Sequence, residues 1–476
     1  MKKLSILVIT MLTTLAVMAE GYQVNLQSAK QAGMGHTGAA LKLGAESMHF
    51  NPAGLGFMDK TIDLSIGGSG VFSSVTAERG GKTFKTDNPV STPLFVYAGF
   101  KIYDNLSAGI SLTTPYGSTM DWGKNWAGAG LVQDITLKSF SIQPTVSYKI
   151  TDKLSIGAGA MIMTGNFSLS RALIPAGALN GYAVLSQVRP YLSAPNQAKV
   201  DQVMGGVAAY GDIPAASATL SGNAGLKVGF NVGVMYDIND QWTVGVSYRS
   251  KVMMDVNEGK AVIDYANKTQ MDAMVQNISD LKPAVDPIIQ SMDPTKQLPL
   301  LIIPPLDKGT FTASLPLPAN LNIGVSYKPN NRWTVTAEGQ IVFWSAYKQL
   351  VVKFDQNVLG GYSIVADKLY ENTVILRAGA QFAATKRLDL RFGAYFDQSP
   401  VKKEYLNPET PSMNKLGITA GASFRPTDRL SVDLALSYVT GFGRDGSYPT
   451  GPNTPPFSAH YLAKAFTPSL GISYSF

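Results

Sequence analysis

The sequence predicts an all-β protein: a transmembrane, 14-stranded antiparallel β-barrel whose bore is filled by the chain's own N-terminal segment. Three observations predict it. Apolar side chains recur at every second position through most of the chain after residue 60. Six short turns of nearly one formula alternate with seven long segments. The stretch from 20 to 60 shows no alternation and is crowded with small residues, so its backbone needs partners from an enclosing structure.

In chain order, Lys2 and Lys3 precede an apolar run from Leu4 to Val17, and Val17-Met18-Ala19 offers a cleavage site after Ala19. Residues 1–19 therefore read as a secretory signal peptide, too short for a membrane span. Glu20, not Cys, follows the cut, which argues against a lipid anchor. Loss of the two lysines takes the formal charge from +7 to +5 (7 − 2). No later stretch offers the ~18 continuous apolar residues of a membrane helix. Yet the chain is 45% hydrophobic, with 46 glycines and 10% aromatics, a mixture that follows when each strand has one greasy and one polar face.

The absence of cysteine excludes disulfides, thiol nucleophiles and Cys-ligated metals. His36, His49 and His460 are too far apart to suggest a His-rich metal site. Basic residues are dispersed, with no run that would track nucleic-acid phosphates. No cofactor, metal or nucleic-acid partner is expected.

The alternation is clearest at the end of the chain. Phe466, Pro468, Leu470, Ile472, Tyr474 and Phe476 share one face, and Thr467, Ser469, Gly471, Ser473 and Ser475 share the other. Strands at 226–236, 242–249 and 430–438 repeat the pattern. The short turns lie at 103–107, 151–155, 239–243, 330–334, 385–389 and 427–431, where Asn, Asp or Thr precedes the apolar residue that opens the next strand. The long segments lie near 75–91, 115–134, 169–224, 257–318, 345–371, 400–412 and 443–463. Fourteen strands enclose a bore too wide for inward side chains to fill, since about eight is the size at which they just close it. A soluble β-sandwich also alternates, but would mix its turn lengths.

The opening Gly21-Tyr22-Gln23-Val24-Asn25, the Gly/Ala-rich stretch after it and Asn51-Pro52-Ala53 resemble the N-terminal plug, or hatch, of FadL-type long-chain fatty acid transporters of the bacterial outer membrane. With strand count, turn order and the terminal Phe476, the resemblance covers nearly all of the mature chain. It implies a signal peptide (1–19), a hatch (20–60) and a barrel (61–476) with both termini periplasmic. It further implies passive uptake of hydrophobic molecules, fatty acids or similar lipids, through a loop groove, a lumen pocket, movement of the hatch and lateral exit. Phe50, Asn51, Pro52, Ala53, Gly54 and Leu55 are the expected moving part. Pro115-Tyr116-Gly117, Trp122 and Trp126-Ala127-Gly128 also match, just after the third strand, which the family kinks inward; Gly109 and Pro115 are the kink candidates. Phe476 resembles the end recognised by the outer-membrane insertion machinery. The expected partners are outer-membrane lipid and, in vitro, detergent, with the protein a monomer.

Two sets of residues are candidates for ligand contact. In the fourth long loop Met271, Met274, Val275, Ile278 and Leu281 follow helical spacing, with Pro283 closing the pattern, and Leu301 and Ile303 could line the same apolar groove. In the lumen, Arg377 and Arg391 either meet a carboxylate or pair with Glu338 and Asp433. The competing functions are a general porin for polar solutes, and a barrel-anchored lipid hydrolase or adhesin. A hydrolase needs a Ser/His/Asp-type constellation, and His460 has no nucleophile elbow near it.

Overall fold

A computed structural model describes residues 21–358, 361–451 and 454–476, so the signal peptide expected at 1–19 lies outside the described residues. Fourteen antiparallel strands close into a barrel. They are β1 (Ile62–Ser69, resumed at Phe72–Arg79), β2 (Leu94–Tyr103), β3 (Leu106–Thr113, resumed at Gly117–Asp121), β4 (Asp134–Thr151) and β5 (Leu154–Ile174). There follow β6 (Ala216–Asp237), β7 (Trp242–Arg249, resumed at Val252–Tyr265), β8 (Lys308–Leu317, resumed at Asn320–Asn330) and β9 (Trp333–Val342). The circuit is completed by β10 (Thr373–Ala383), β11 (Leu388–Asp397), β12 (Lys415–Phe424), β13 (Leu430–Gly441) and β14 (Phe457–Ser475). β14 pairs with β1 from Asp63↔Ser475 to Ser69↔Ser469, which leaves the sheet without a free edge.

All six short turns are present, and their shared formula has a local cause. Asn239 Oδ1 accepts from the amides of Gln241 and Trp242 (both 2.9 Å), and Asn330 Oδ1 does the same for Arg332 and Trp333. The Thr151, Thr385 and Thr427 hydroxyls accept from the amides two and three residues on. Each side chain satisfies the backbone of the hairpin it starts. At this rim Trp242 stacks on Tyr327 and Trp333 tilts against Phe382, the start of an aromatic girdle.

On β14 the outward Leu470, Ile472 and Tyr474 are exposed, whereas the inward Thr467, Ser469 and Ser473 are buried. Away from the short turns the strands run further than their alternation indicates. β5 continues to Ile174, β6 begins at Ala216 and β14 at Phe457, so parts of the expected loops 169–224 and 443–463 are strand. Past the hydrocarbon neither face meets lipid, and the pattern fades although the ladder continues.

Residues 21–58 occupy the bore and are mostly buried. Glycines of the wall make room for this segment's backbone. A Cβ on Gly393 would lie 2.1 Å from Gly35 N, and one on Gly245 would lie 1.9 Å from Ala39 O. Gly35 itself has φ +65°. Gly393→Val is therefore expected to push the segment off the wall, and trypsin should then cut after Lys30 or Lys42 in the folded barrel, which it should not do in the parent chain.

Two longer helices cover the outer end: α1 (Ala194–Tyr210) and α2 (Lys268–Met292). Contrary to expectation, α2 does not stop at Pro283 but runs through Pro283 and Pro287. Burial of Leu281, Val285 and Ile289 along one face offsets the roughly 3 kcal/mol that an interior proline costs.

Candidate transport pathway

Three features of the bore follow from how the N-terminal segment is held. The first is a set of buried polar clamps. Glu338 on β9 accepts from the amides of Gly38 and Ala39 (both 2.7 Å) through Oε2, and from Arg377 on β10 (3.0 Å) through Oε1. Arg377 also donates to Gln340 (2.7 Å). Arg391 on β11 pairs with Asp433 on β13 (3.1 Å), and Lys30 bridges Glu46 and Asp433 (3.2 and 3.9 Å). Asn51 donates through Nδ2 to Ala39 O and Val234 O (2.7 and 3.0 Å) and accepts through Oδ1 from Ala53 N (3.1 Å), capping the short helical turn Pro52–Phe57.

The second is a break in the wall. β3 is regularly paired up to Phe95↔Thr113, and beyond that point its partners change. Pro115 O accepts from Val24 N (2.9 Å), and Gly117 N donates to Tyr22 O (2.8 Å). Thr114 is held by both ends of the Gln27 amide. The strand has turned inward to pair with the segment in the bore, and a cavity opens beside β2, bounded by Val24, Val90, Leu94, Tyr116, Lys138 and Phe140. Pro115 lies in this break. Gly109 does not: it pairs with Gly99 and Thr145, and its missing side chain makes room for Met48.

The third is an apolar chamber toward the loops, lined among others by Ile135, Leu137, Phe167, Met254, Leu315 and Leu317. Tyr22 forms part of its lining, packed edge-on against Trp344 (4.9 Å between ring centres) and hydrogen-bonded to Pro316 O. At one corner Lys368 and Glu409 form an ion pair (2.5 Å). Beyond Tyr116, a second cavity is polar, with His36, His49, Arg249, Glu338 and Arg377 in its lining.

The residues expected to touch ligand are placed differently. Met271, Met274, Ile278 and Leu281 are fully buried against Leu185, Val188, Val200 and Val203, with Val275 partly covered and Leu301 and Ile303 packed at the margin. The expected groove is therefore a closed core between the third and fourth long loops, because α1 and its neighbours supply the apolar surface that a ligand was expected to supply. Lys199 of α1 bonds Asp280 of α2 (2.6 Å), and that bond, with one from Gln276, holds the Asp280 carboxyl below the ordinary carboxylate range. Arg377 and Arg391 likewise serve in the clamps and do not line the apolar chamber. Among the charges along the strands, Arg249, Glu338, Arg377, Arg391 and Asp433 are buried, while Lys227 is half-exposed and reaches Asp255 on β7. Phe50 to Leu55 lie together against the wall, with Ser247 bonded to Phe50 O (2.7 Å). The alternation pattern missed Lys368 and Glu409, since both lie outside the strands.

A plugged, closed barrel with a broken third strand defines a class of outer-membrane channel. The chain matches, over residues 9–476, the family described as outer membrane protein transport protein (OMPP1/FadL/TodX), and it belongs to that family. It is 22% identical to the long-chain fatty acid transport protein of Escherichia coli K12 over 436 residues, covering 88% of each chain. It is 24% identical to a Neisseria meningitidis outer membrane protein over 473 residues, covering 92% of this chain and 90% of the relative. Among solved structures, a Pseudomonas aeruginosa FadL homologue superposes with a TM-score of 0.73 at 19% identity, over 96% of this chain and all (100%) of that one. The Pseudomonas putida toluene transporter TodX gives 0.66 at 17%, over 96% and 100%. The protein is thus an outer-membrane β-barrel of the FadL/TodX type.

Proposed function

We propose that this chain moves hydrophobic molecules across the outer membrane without an energy source, that its cargo is long-chain fatty acids, and that it has no catalytic role. The apolar chamber carries this reading. Its walls suit an alkyl tail, and Lys368 gives a carboxylate head one cation to contest with Glu409. Cargo enters among the outer loops, rests in the chamber and leaves beside β3, where the wall is open. The polar cavity beyond Tyr116 favours this sideways route, because an alkyl chain gains nothing from a lining of arginine, glutamate and histidine. Movement of Phe50–Leu55 regulates the passage. The bore is occupied, which speaks against a general porin.

Uptake of labelled oleate by cells whose own fatty acid transporter is deleted tests the reading. Expression of this chain should restore uptake, and Phe167→Asp, which puts a charge in the chamber wall, should abolish it. Failure of the parent chain to restore uptake would remove oleate as cargo. The double change Lys368→Met with Glu409→Gln avoids an orphaned charge and should weaken oleate binding by roughly tenfold, the worth of one charge-assisted hydrogen bond, while sparing toluene.

A further inference from the structure

A second lapse in the wall lies away from β3, between β6 and β7. β6 pairs with the first part of β7 up to Asn231↔Arg249, and with the second part only from Ser221↔Lys260 onward. Between these registers the bonds to backbone that join the two strands among the described residues are Ser250 N to Phe230 O and Phe230 N to Ser250 Oγ, both 2.9 Å. Both strands are ordered by their other neighbours there, with Met163↔Lys227 and Gly165↔Ala224 on the β5 side and Val252↔Leu317 to Val256↔Ala313 on the β8 side.

The seam is closed by side chains. Val256 lies against Gly222, Val252 lies against Gly229, and Lys227 forms an ion pair with Asp255, which also accepts from Ser314 (2.6 Å). Both banks reach the apolar chamber, with Ala224 from β6 and Met254 and Val256 from β7 in its lining. On the outer surface Leu226 and Val228 are 73% and 71% exposed, against 38% and 44% for Val232 and Val234 lower on the same strand, because β7 is not paired beside them. They lie at the end of the apolar belt away from the short turns, at the depth of the outer leaflet.

We infer that the β6–β7 seam is a second lateral portal, through which apolar molecules pass between the chamber and the hydrocarbon of the outer leaflet. This rests on the reading of the chain as a carrier of hydrophobic molecules. Parting a paired ladder in lipid would leave backbone groups unsatisfied at several kcal/mol each. Here the two bonds between Phe230 and Ser250 bound the seam, and beyond them only valine contacts and one ion pair must give way.

The chain has no cysteine, so Gly229→Cys with Val252→Cys creates a single possible disulfide across the seam. With the protein in lipid nanodiscs and the fluorescent fatty acid parinarate as probe, oxidation should slow association and dissociation by at least about fivefold each, leave Kd within about twofold, and be reversed by reductant. A portal changes both rates together, whereas damage to the chamber changes Kd. Should the cystine variant misfold, Lys227→Ala with Asp255→Ala decides the matter: loss of the clasp should speed exchange by a comparable factor. Probe that binds with unchanged rates overturns the portal alone. Absence of binding to the parent chain overturns the transport reading and the portal with it.

Discussion

Glu338→Ala is expected to turn a silent protein into a conducting one. The carboxylate is buried and occupied on both oxygens, by two amides of the hatch and by Arg377. Its removal orphans the Gly38 and Ala39 amides and leaves a buried guanidinium held by Gln340 without a counter-charge. Breaking a buried ion pair from one side costs about 3–5 kcal/mol, a large share of what holds so small a segment. The hatch should leave the β9–β10 wall, and planar bilayers should show steady conductance steps where the parent protein shows none. Glu338→Gln keeps an acceptor for the amides and should fall between. Adding Arg377→Met to Glu338→Ala should restore part of the silence, because the unpaired charge is then gone. A silent Glu338→Ala variant would mean that the hatch is held chiefly by packing.

The barrel was legible wherever a strand has lipid on one side. Leu470 and Ser469 are neighbours in sequence with opposite environments, and that contrast is written at every other residue. Where both faces leave the hydrocarbon the writing stops, so alternation alone reads the outer reaches of β5, β6 and β14 as loop. The helical stripe at Met271–Leu281 was visible, but periodicity reports an apolar face and not what covers it; its partner, α1, lies some 70 residues away and carries little pattern of its own. Arg377 and Arg391 could be placed inward by the cost of charge in lipid. Their partners could be named as candidates but not chosen, since the choice depends on which strands are adjacent and on where the hatch backbone runs. The lapses at Pro115 and along Ala224–Val228 are failures of pairing, and pairing involves backbone groups that every residue but proline carries alike.

The hatch turn at Asn51 separates the stability of the plug from its movement. The side chain is fully buried and uses both ends: its Nδ2 donates to Ala39 O and Val234 O, joining two parts of the hatch to β6, and its Oδ1 caps Ala53 N. Asn51→Ala leaves two carbonyls and one amide without partners, at about 1–3 kcal/mol for each group that cannot relax toward water. Asn51→Asp has nearly the same shape and keeps the cap, but it sets a carboxylate against two carbonyl oxygens in a site with no room for solvent, where a Cβ on Gly233 would already lie 2.0 Å from Oδ1. The isosteric change should therefore be the more damaging. For a loss of ~3 kcal/mol, amide exchange across residues 48–57 should accelerate about a hundredfold in Asn51→Ala and further in Asn51→Asp, with β9 to β14 unchanged. If Phe50–Leu55 is the part that moves, oleate uptake should change in the same order; faster exchange in Asn51→Asp at parental uptake would show that loosening this turn does not gate the pathway.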